Sequence, residues 1–503
     1  MIIKNISNNA RYLMCPALLF FSIKCLPQGY NSSFLLGYQA KAKMSFTDTS
    51  YSILSEVRTI PFMYTQGNIS DENGNILMSS NGYFVANSTG DTMLYGSGLN
   101  PNQCTYDYGH EWGMPIAYGN MFLPMPDDSN KYILFHETCD YNSPTAIDNN
   151  FYYSVVDITL DNGLGAVISK NNIAHTDMFG WGMTACKHGN GRDWWIITIS
   201  YDGSLIHEFL LTPNGVNYVG VKNLQLQTGL GWAGQPVFSP DGKKFAFRDG
   251  YVQGTYWNLY INIMRFDRCS GDFVLDTVIN YSDSTIGYGT MFSPDSRYLY
   301  FSTSEHIYQV DTDTPNIGAT LQTVATNDIF PSTVPPFYTN FHLMYLAANG
   351  KIYISSTSSV KHLHEINYPD SAGMACDVQL HNIFTDCYFI GVPNHPNYYL
   401  GREIGSSCDT LTSVSYLEQH DFKFRVYPNP VRNGILNVGY LLPQNKQGLF
   451  EIYDVTGKVV FRYTLPPWSN VQSFKLPKLS NGVYNAVIIS GDKRVSKRFA
   501  VME

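Results

Sequence analysis

Six short patches of similar design recur along this chain of 503 residues. Each has an aromatic residue, a short spacer, a polar turn and then an apolar, aromatic-rich segment. The clearest pair is Phe238-Ser-Pro-Asp-Gly-Lys-Lys-Phe-Ala-Phe247 and Phe292-Ser-Pro-Asp-Ser-Arg-Tyr-Leu-Tyr-Phe301. The turn residues are Asn73, Asp128, Asn190, Asp241, Asp295 and Asn349, at successive intervals of 55, 62, 51, 54 and 54. Strands and tight turns repeated at this length are the pattern of a β-propeller. Pro-Asp-Gly and Asn-Gly preset one φ and then supply a residue tolerant of positive φ, as a tight hairpin requires. A lone four-stranded sheet cannot bury both of its faces, whereas a closed ring of such sheets can. The body is therefore expected to be all-β, a propeller of six or seven blades.

Composition agrees with an exported all-β protein. Charged residues make up 15% and aromatics 15%, with 37 Tyr; a typical soluble chain is about 25% charged. The net charge of -9 hides a break. Residues 423–503 carry 12 Lys and Arg against 4 Asp and Glu, while the rest carries 20 against 37. A shift this sharp marks a domain boundary, and an acidic body argues against nucleic acid as a partner.

The first 28 residues read as a signal peptide: Lys4 and Arg11 precede an apolar run from Tyr12 to Ile23, shorter than the roughly 20 residues that span a bilayer. No other stretch reads as a transmembrane helix. Seven cysteines lie beyond that segment, at 104, 139, 186, 269, 376, 387 and 408. None has the C-x-x-C spacing of zinc or redox motifs, and export permits disulfides. Cys376 with Cys408 and Cys104 with Cys139 are the expected pairs.

The C-terminal stretch has about seven short strand-like segments with turn signals between them, the pattern of an Ig-like sandwich. Its motifs are Tyr427-Pro428-Asn429-Pro430, Ile452-Tyr-Asp-Val-Thr-Gly457-Lys458-Val-Val460, Leu479-Ser-Asn-Gly482-Val-Tyr484 and a last basic strand with Lys497 and Arg498. Over residues 423–503 these resemble the type A C-terminal sorting domain of the type IX secretion system. The resemblance implies passage through the type IX translocon, removal of the tail by a sortase-like peptidase, and a place outside a Gram-negative cell, released or on its outer surface. The Ser-Pro-Asp-Gly patches are similar to the repeats of periplasmic Tol-type propellers. Gly391-Val-Pro-Asn-His-Pro-Asn-Tyr-Tyr-Leu-Gly401 resembles the end of the body in secreted propellers with such tails. Neither likeness implies an activity. The expected domains are a signal peptide (1–28), a propeller (29–410), a linker (411–422) and the sorting domain (423–503).

Motifs for chemistry are sparse. Gly229-Leu-Gly-Trp-Ala-Gly234 has Gly-x-Gly-x-x-Gly spacing but leads into a strand and turn rather than a helix, so it is no dinucleotide site. His362 and His364 share a strand face without a third ligand, and Asp311-Thr-Asp313 reads as a polar turn. No cofactor, metal or catalytic residue is expected. An aromatic stands 7 to 10 positions before each turn residue: Tyr64, Tyr118, Trp181, Trp232, Tyr288 and Phe341. If the strand entering each turn is the innermost of its blade, these six ring one mouth of the channel. There they could meet a sugar or peptide side chain, or they could be blade core. Binding or adhesion to a surface glycan or protein is the leading expectation. A glycan- or peptide-cleaving hydrolase with its site at the channel is the alternative, and a matrix component without a pocket is a third.

Overall fold

The computed structural model describes residues 29–502 except 48–49, 72, 138–149, 225–233, 255, 333–336, 404, 410–423, 433, 441–446, 466–470 and 491–492. The signal segment, Trp232, Cys139 and the linker therefore lie outside the described residues.

Each of the six turn residues falls between the first and second strands of a four-stranded antiparallel meander. The meanders span 67–97, 120–176, 179–223, 237–283, 290–326 and 344–389. Ahead of them, Ser33–Leu36, Ala42–Phe46 and Tyr51–Ser55 form a three-stranded sheet. The first strands of the meanders are Gly67–Ser70, Asn120–Pro124, Phe179–Lys187, Val237–Phe238, Thr290–Phe292 and Met344–Leu346, and each packs beside the next. Ser33–Leu36 touches both Gly67–Ser70 and Val378–Phe389, so the succession of sheets comes round on itself. The fold is all-β and propeller-like.

The turns show why the repeat folds this way. Ser239 Oγ donates to Asp241 Oδ1 at 2.5 Å and accepts Lys244 N at 2.9 Å. Ser293 repeats the pattern with Asp295 and Tyr298 at 2.5 and 2.8 Å. Gly242 takes the left-handed φ of 72° that closes the first turn, and Ser296 takes φ 66° in the second. Ser296 tolerates it while its Oγ accepts Asp241 N at 3.0 Å, tying one turn to the next.

Burial follows the ring. Apolar clusters lie between consecutive sheets: Ile197 and Trp195 against Phe245 and Phe247, Ile261 and Ile263 against Leu299 and Phe301, Tyr300 against Ile352 and Ile354. Phe34, Met44 and Phe46 pack on Tyr345, Tyr353 and Phe389, which brings the three-stranded sheet against the sixth meander. Each such buried side chain contributes about 1.5–3 kcal/mol of burial.

Among its described residues the tail has seven strands in two sheets of three and four, around a core that includes Phe450, Phe474 and Ile488. Asn429 of the Tyr-Pro-Asn-Pro motif accepts Ala500 N at 2.8 Å, and Val431 N donates to Ala500 O at 2.7 Å. The opening motif and the last basic strand are thus bonded to each other. Gly457 closes the Asp454–Lys458 turn at φ 83°, and Tyr484 stacks on Phe499.

The expected Cys376–Cys408 bridge is corrected: Cys408 is bonded to Cys269, and Cys376 is buried and free. Cys376 lies in the core between the fifth and sixth meanders, remote in packing from the chain end that carries Cys408. Cys104 is also disulfide-bonded, to a partner outside the described residues.

Candidate functional site

The central channel is filled by the chain itself. After Val378–Phe389, the amides of Ile390 and Gly391 donate to Met63 O at 2.9 and 2.8 Å, at the end where the inner strands begin. The chain then runs along the channel. Asn394 Nδ2 donates to Met183 O at 2.8 Å, and His395 Nε2 lies 2.7 Å from Asn68 O. Tyr398 Oη donates to Phe122 O at 2.8 Å, and Asn397 Nδ2 to Pro240 O at 2.7 Å in the Ser-Pro-Asp-Gly turn. One short segment therefore bonds to four different meanders. Gly391 is required at the entrance, because a Cβ there would stand 1.8 Å from Tyr64 O. Beyond the channel, Arg268 donates to Lys187 O at 2.8 Å and to Gly401 O, and Cys269–Cys408 fixes the segment below the third and fourth meanders.

The five described aromatics take different depths. Tyr64 and Tyr288 flank His342: Tyr64 Oη is 2.6 Å from His342 Nε2, and both rings meet the imidazole edge to face at 5.6 and 5.2 Å. Tyr118, with φ 56°, is turned inward and buried, its Oη donating to Met344 O at 3.0 Å. Gln235 ties this layer together, its Oε1 accepting the amides of Thr290 and Met344 at 3.3 and 3.0 Å. Trp181 is half-buried against Cys104, Met114 and Ile116. Phe341 is fully buried in the core between the fifth and sixth meanders. Tyr64, Trp181 and Tyr288 thus keep partial access to solvent, whereas Tyr118 and Phe341 do not.

Arg248 lies under Tyr288, its guanidinium carbon 5.2 Å from the ring centroid. It is 1% exposed, and its Nε and Nη1 have no hydrogen-bond partner among the described residues. Sequence reading missed Arg248 and His342, because neither falls in a motif. Burial, with a smaller contribution from the Arg248 charge, pushes His342 down to about 3, so the imidazole is neutral. Burial also pushes the Tyr64 and Tyr118 hydroxyls well up. These hydroxyls are bonded inside the protein, so the mouth offers the partly exposed aromatic faces of Tyr64, Trp181 and Tyr288, which suit binding.

At the opposite, turn-side end a cavity of about 140 Å³ remains between the channel segment and the turns. Its wall includes Phe238, Pro240, Pro294, Asn394 and Tyr399, and the tail residues Arg425 and Tyr427 close it. Arg425 donates to Ala348 O, and the Arg432 guanidinium sits 4.3 Å over the Tyr368 ring, so the tail rests on the body. No carboxylate among the described residues lines this cavity. A glycosidase of the usual kind needs two.

Comparison with known proteins separates the two parts. Residues 425–502 match the family described as the secretion system C-terminal sorting domain. No curated protein matches the chain. Solved structures align with it at low similarity. A protein from Lactobacillus plantarum has 10% identity and TM-score 0.35, covering 82% of this chain and 98% of its own. The β-propeller domain of Nup133 from Vanderwaltozyma polyspora has 9% identity and TM-score 0.33, covering 64% and 87%. An α-L-arabinanase from Penicillium chrysogenum, solved with arabinobiose, has 11% identity and TM-score 0.29, covering 65% and 89%. Likenesses at this level carry no activity across. No helix among the described residues is long and apolar enough to cross a membrane. The chain ends in a secretion-system C-terminal sorting domain at residues 425–502, which points to type IX export and the cell surface.

Proposed function

We propose that this chain is an exported binding protein. Its body of residues 29–410 engages a surface glycan or protein at the mouth where the inner strands begin. In this reading residues 1–28 direct export, the three-stranded sheet is a seventh blade beside the six meanders, and the tail is an Ig-like sandwich removed by a sortase-like peptidase. The observation that carries the binding role is the placement of Tyr64, Trp181 and Tyr288, partly exposed at the end of a channel already filled by the chain. Flat amphipathic rings on a fixed scaffold are the usual means of holding sugars and peptide side chains. The hydrolase alternative finds no pair of carboxylates among the described residues that line the turn-side cavity.

The test is a glycan array followed by titration of the best hit against Trp181→Ala and Tyr288→Ala. Loss of an aromatic anchor costs about 1–2 kcal/mol or more in such sites, a weakening of about 5- to 30-fold. Folding should change little in either variant. Phe341→Ala, by contrast, removes a fully buried ring and should lower stability by about 3–5 kcal/mol. Unchanged affinity in both mouth variants would remove the binding role from this mouth.

A further inference from the structure

We propose that His175, Asp177 and His207 form a binding site for a divalent cation of the zinc class, on the outer side of the ring between the second and third meanders. His175 lies near the end of Ala166–Thr176, the outermost strand of the second meander in sequence. Asp177 lies in the link to Phe179–Lys187, and His207 lies in Leu205–Thr212 of the third meander. Their ligand atoms all fall within 4.8 Å of one another, and His207 Nε2 is 3.7 Å from Asp177 Oδ2. Zinc holds imidazole nitrogen and carboxylate oxygen at about 2.0–2.2 Å in a tetrahedron. Donors in such a site stand a little over 3 Å apart, so the His207–Asp177 pair at 3.7 Å must close by a few tenths of an ångström and a pair at the 4.8 Å limit by more than about 1 Å. The Asp177 side chain, 44% exposed, is free to make that shift.

An independent observation points the same way. His207 is completely buried, yet its Nε2 has no hydrogen-bond partner among the described residues. A buried imidazole nitrogen left unpaired is costly, and a metal would satisfy it. The surroundings favour the ligating tautomer. His207 Nδ1 lies 3.3 Å from Tyr218 Oη; a proton on Nδ1 donated to that oxygen leaves the Nε2 lone pair directed at the site. Tyr218 also stacks on His175 with centroids 3.8 Å apart and planes 12° from parallel, which fixes the second imidazole. Asp177 Oδ1 accepts Met178 N at 2.7 Å, which leaves Oδ2 for the metal. Two imidazoles and one carboxylate leave a fourth position for water or a ligand group.

A second cluster, Asp283, Glu305 and His306, has similar spacing but a different state. Asp283 Oδ2 already accepts from Thr303 Oγ1 at 2.8 Å and Tyr308 Oη at 2.9 Å, with His306 Nδ1 at 3.0 Å. Its donors are used within the protein, so it serves as the control.

The test uses the full chain stripped with a chelator and titrated calorimetrically with zinc chloride. Cobalt(II) is added separately as a spectroscopic probe of nitrogen and oxygen ligation. One equivalent of zinc should bind, and the thermal midpoint should rise with zinc concentration. Asp177→Ala, at an exposed position, should weaken binding at least tenfold without altering the midpoint of the metal-free protein. His175→Gln should do the same, and His306→Ala should leave binding unchanged. If zinc binds with less than one equivalent, or if Asp177→Ala and His175→Gln bind as the parent does, the site is not there.

Discussion

Acidifying the solution from pH 7 to pH 5 should remove about 3–6 kcal/mol of the body's stability, and unfolding should follow before pH 4. The cause is a set of imidazoles buried neutral. His136, His342 and His364 are held down at about 3, and His395 at about 4, chiefly by burial. Their surroundings favour the neutral ring. His136 lies 2.6 Å from Asn100 Oδ1 and 2.9 Å from Ser154 Oγ, and His395 lies between Tyr345 Oη and Asn68 O at 3.0 and 2.7 Å. In the unfolded chain each would titrate near 6.5. Below that pH the unfolded state binds protons that the folded state refuses. Stability is therefore full above about 6.5 and is lost as pH falls toward the folded values. Each group removes up to about 1.4 kcal/mol per pH unit. Glu208, pushed up to about 7 by burial, and Asp370, raised by burial and by Asp295, act in the opposite sense and offset part of the loss. Urea midpoints at pH 7, 6 and 5 measure the net slope. Equal midpoints at pH 7 and 5 would mean that these imidazoles are not buried neutral.

The second large effect is expected at Tyr398. This residue, 5% exposed, lies in the channel with its ring edge-on to Trp194 at 5.9 Å and its hydroxyl bonded to Phe122 O. Tyr398→Ala removes an aromatic ring from a site bounded by several sheets that cannot collapse independently, and should cost about 3–5 kcal/mol. Tyr398→Phe keeps the ring and loses one hydrogen bond, for about 1 kcal/mol. Thermal or urea denaturation of both variants checks the pair. If both cost less than about 0.5 kcal/mol, the segment does not fill the channel in solution; surface changes fall in that range.

How much of this was legible depends on whether the information is local. The turn chemistry is local, so Asn73, Asp128, Asn190, Asp241, Asp295 and Asn349 mark the six meanders correctly. The sheet of Ser33–Leu36, Ala42–Phe46 and Tyr51–Ser55 escaped because no Pro-Asp-Gly or Asn-Gly turn joins its strands. The channel segment has no strand period and carries two prolines, Pro393 and Pro396, so the sequence marks it only as the end of the body. Its order comes from side-chain bonds to distant carbonyls, Met183, Phe122 and Pro240, which sequence spacing does not encode. The spacing of the aromatics does not set their depth. Tyr118 is turned inward and Phe341 is packed between sheets, while Trp181 stays partly exposed. The His175, Asp177 and His207 group escaped for the same reason as the Cys269–Cys408 bridge. Its members meet only when separate meanders pack.

The tail should direct this protein outward, so that its body acts outside the cell; where the chain goes in its own host with and without the tail measures this. Surface protease shaving and fractionation of the medium, read by an antibody against the body, should find the product of the complete gene outside the outer membrane, with residues 423–503 removed. A chain ending before residue 425 should accumulate inside, in the periplasm. If the shortened chain reaches the surface and medium as well as the complete one, the tail is not what exports the protein, and the account fails at its centre.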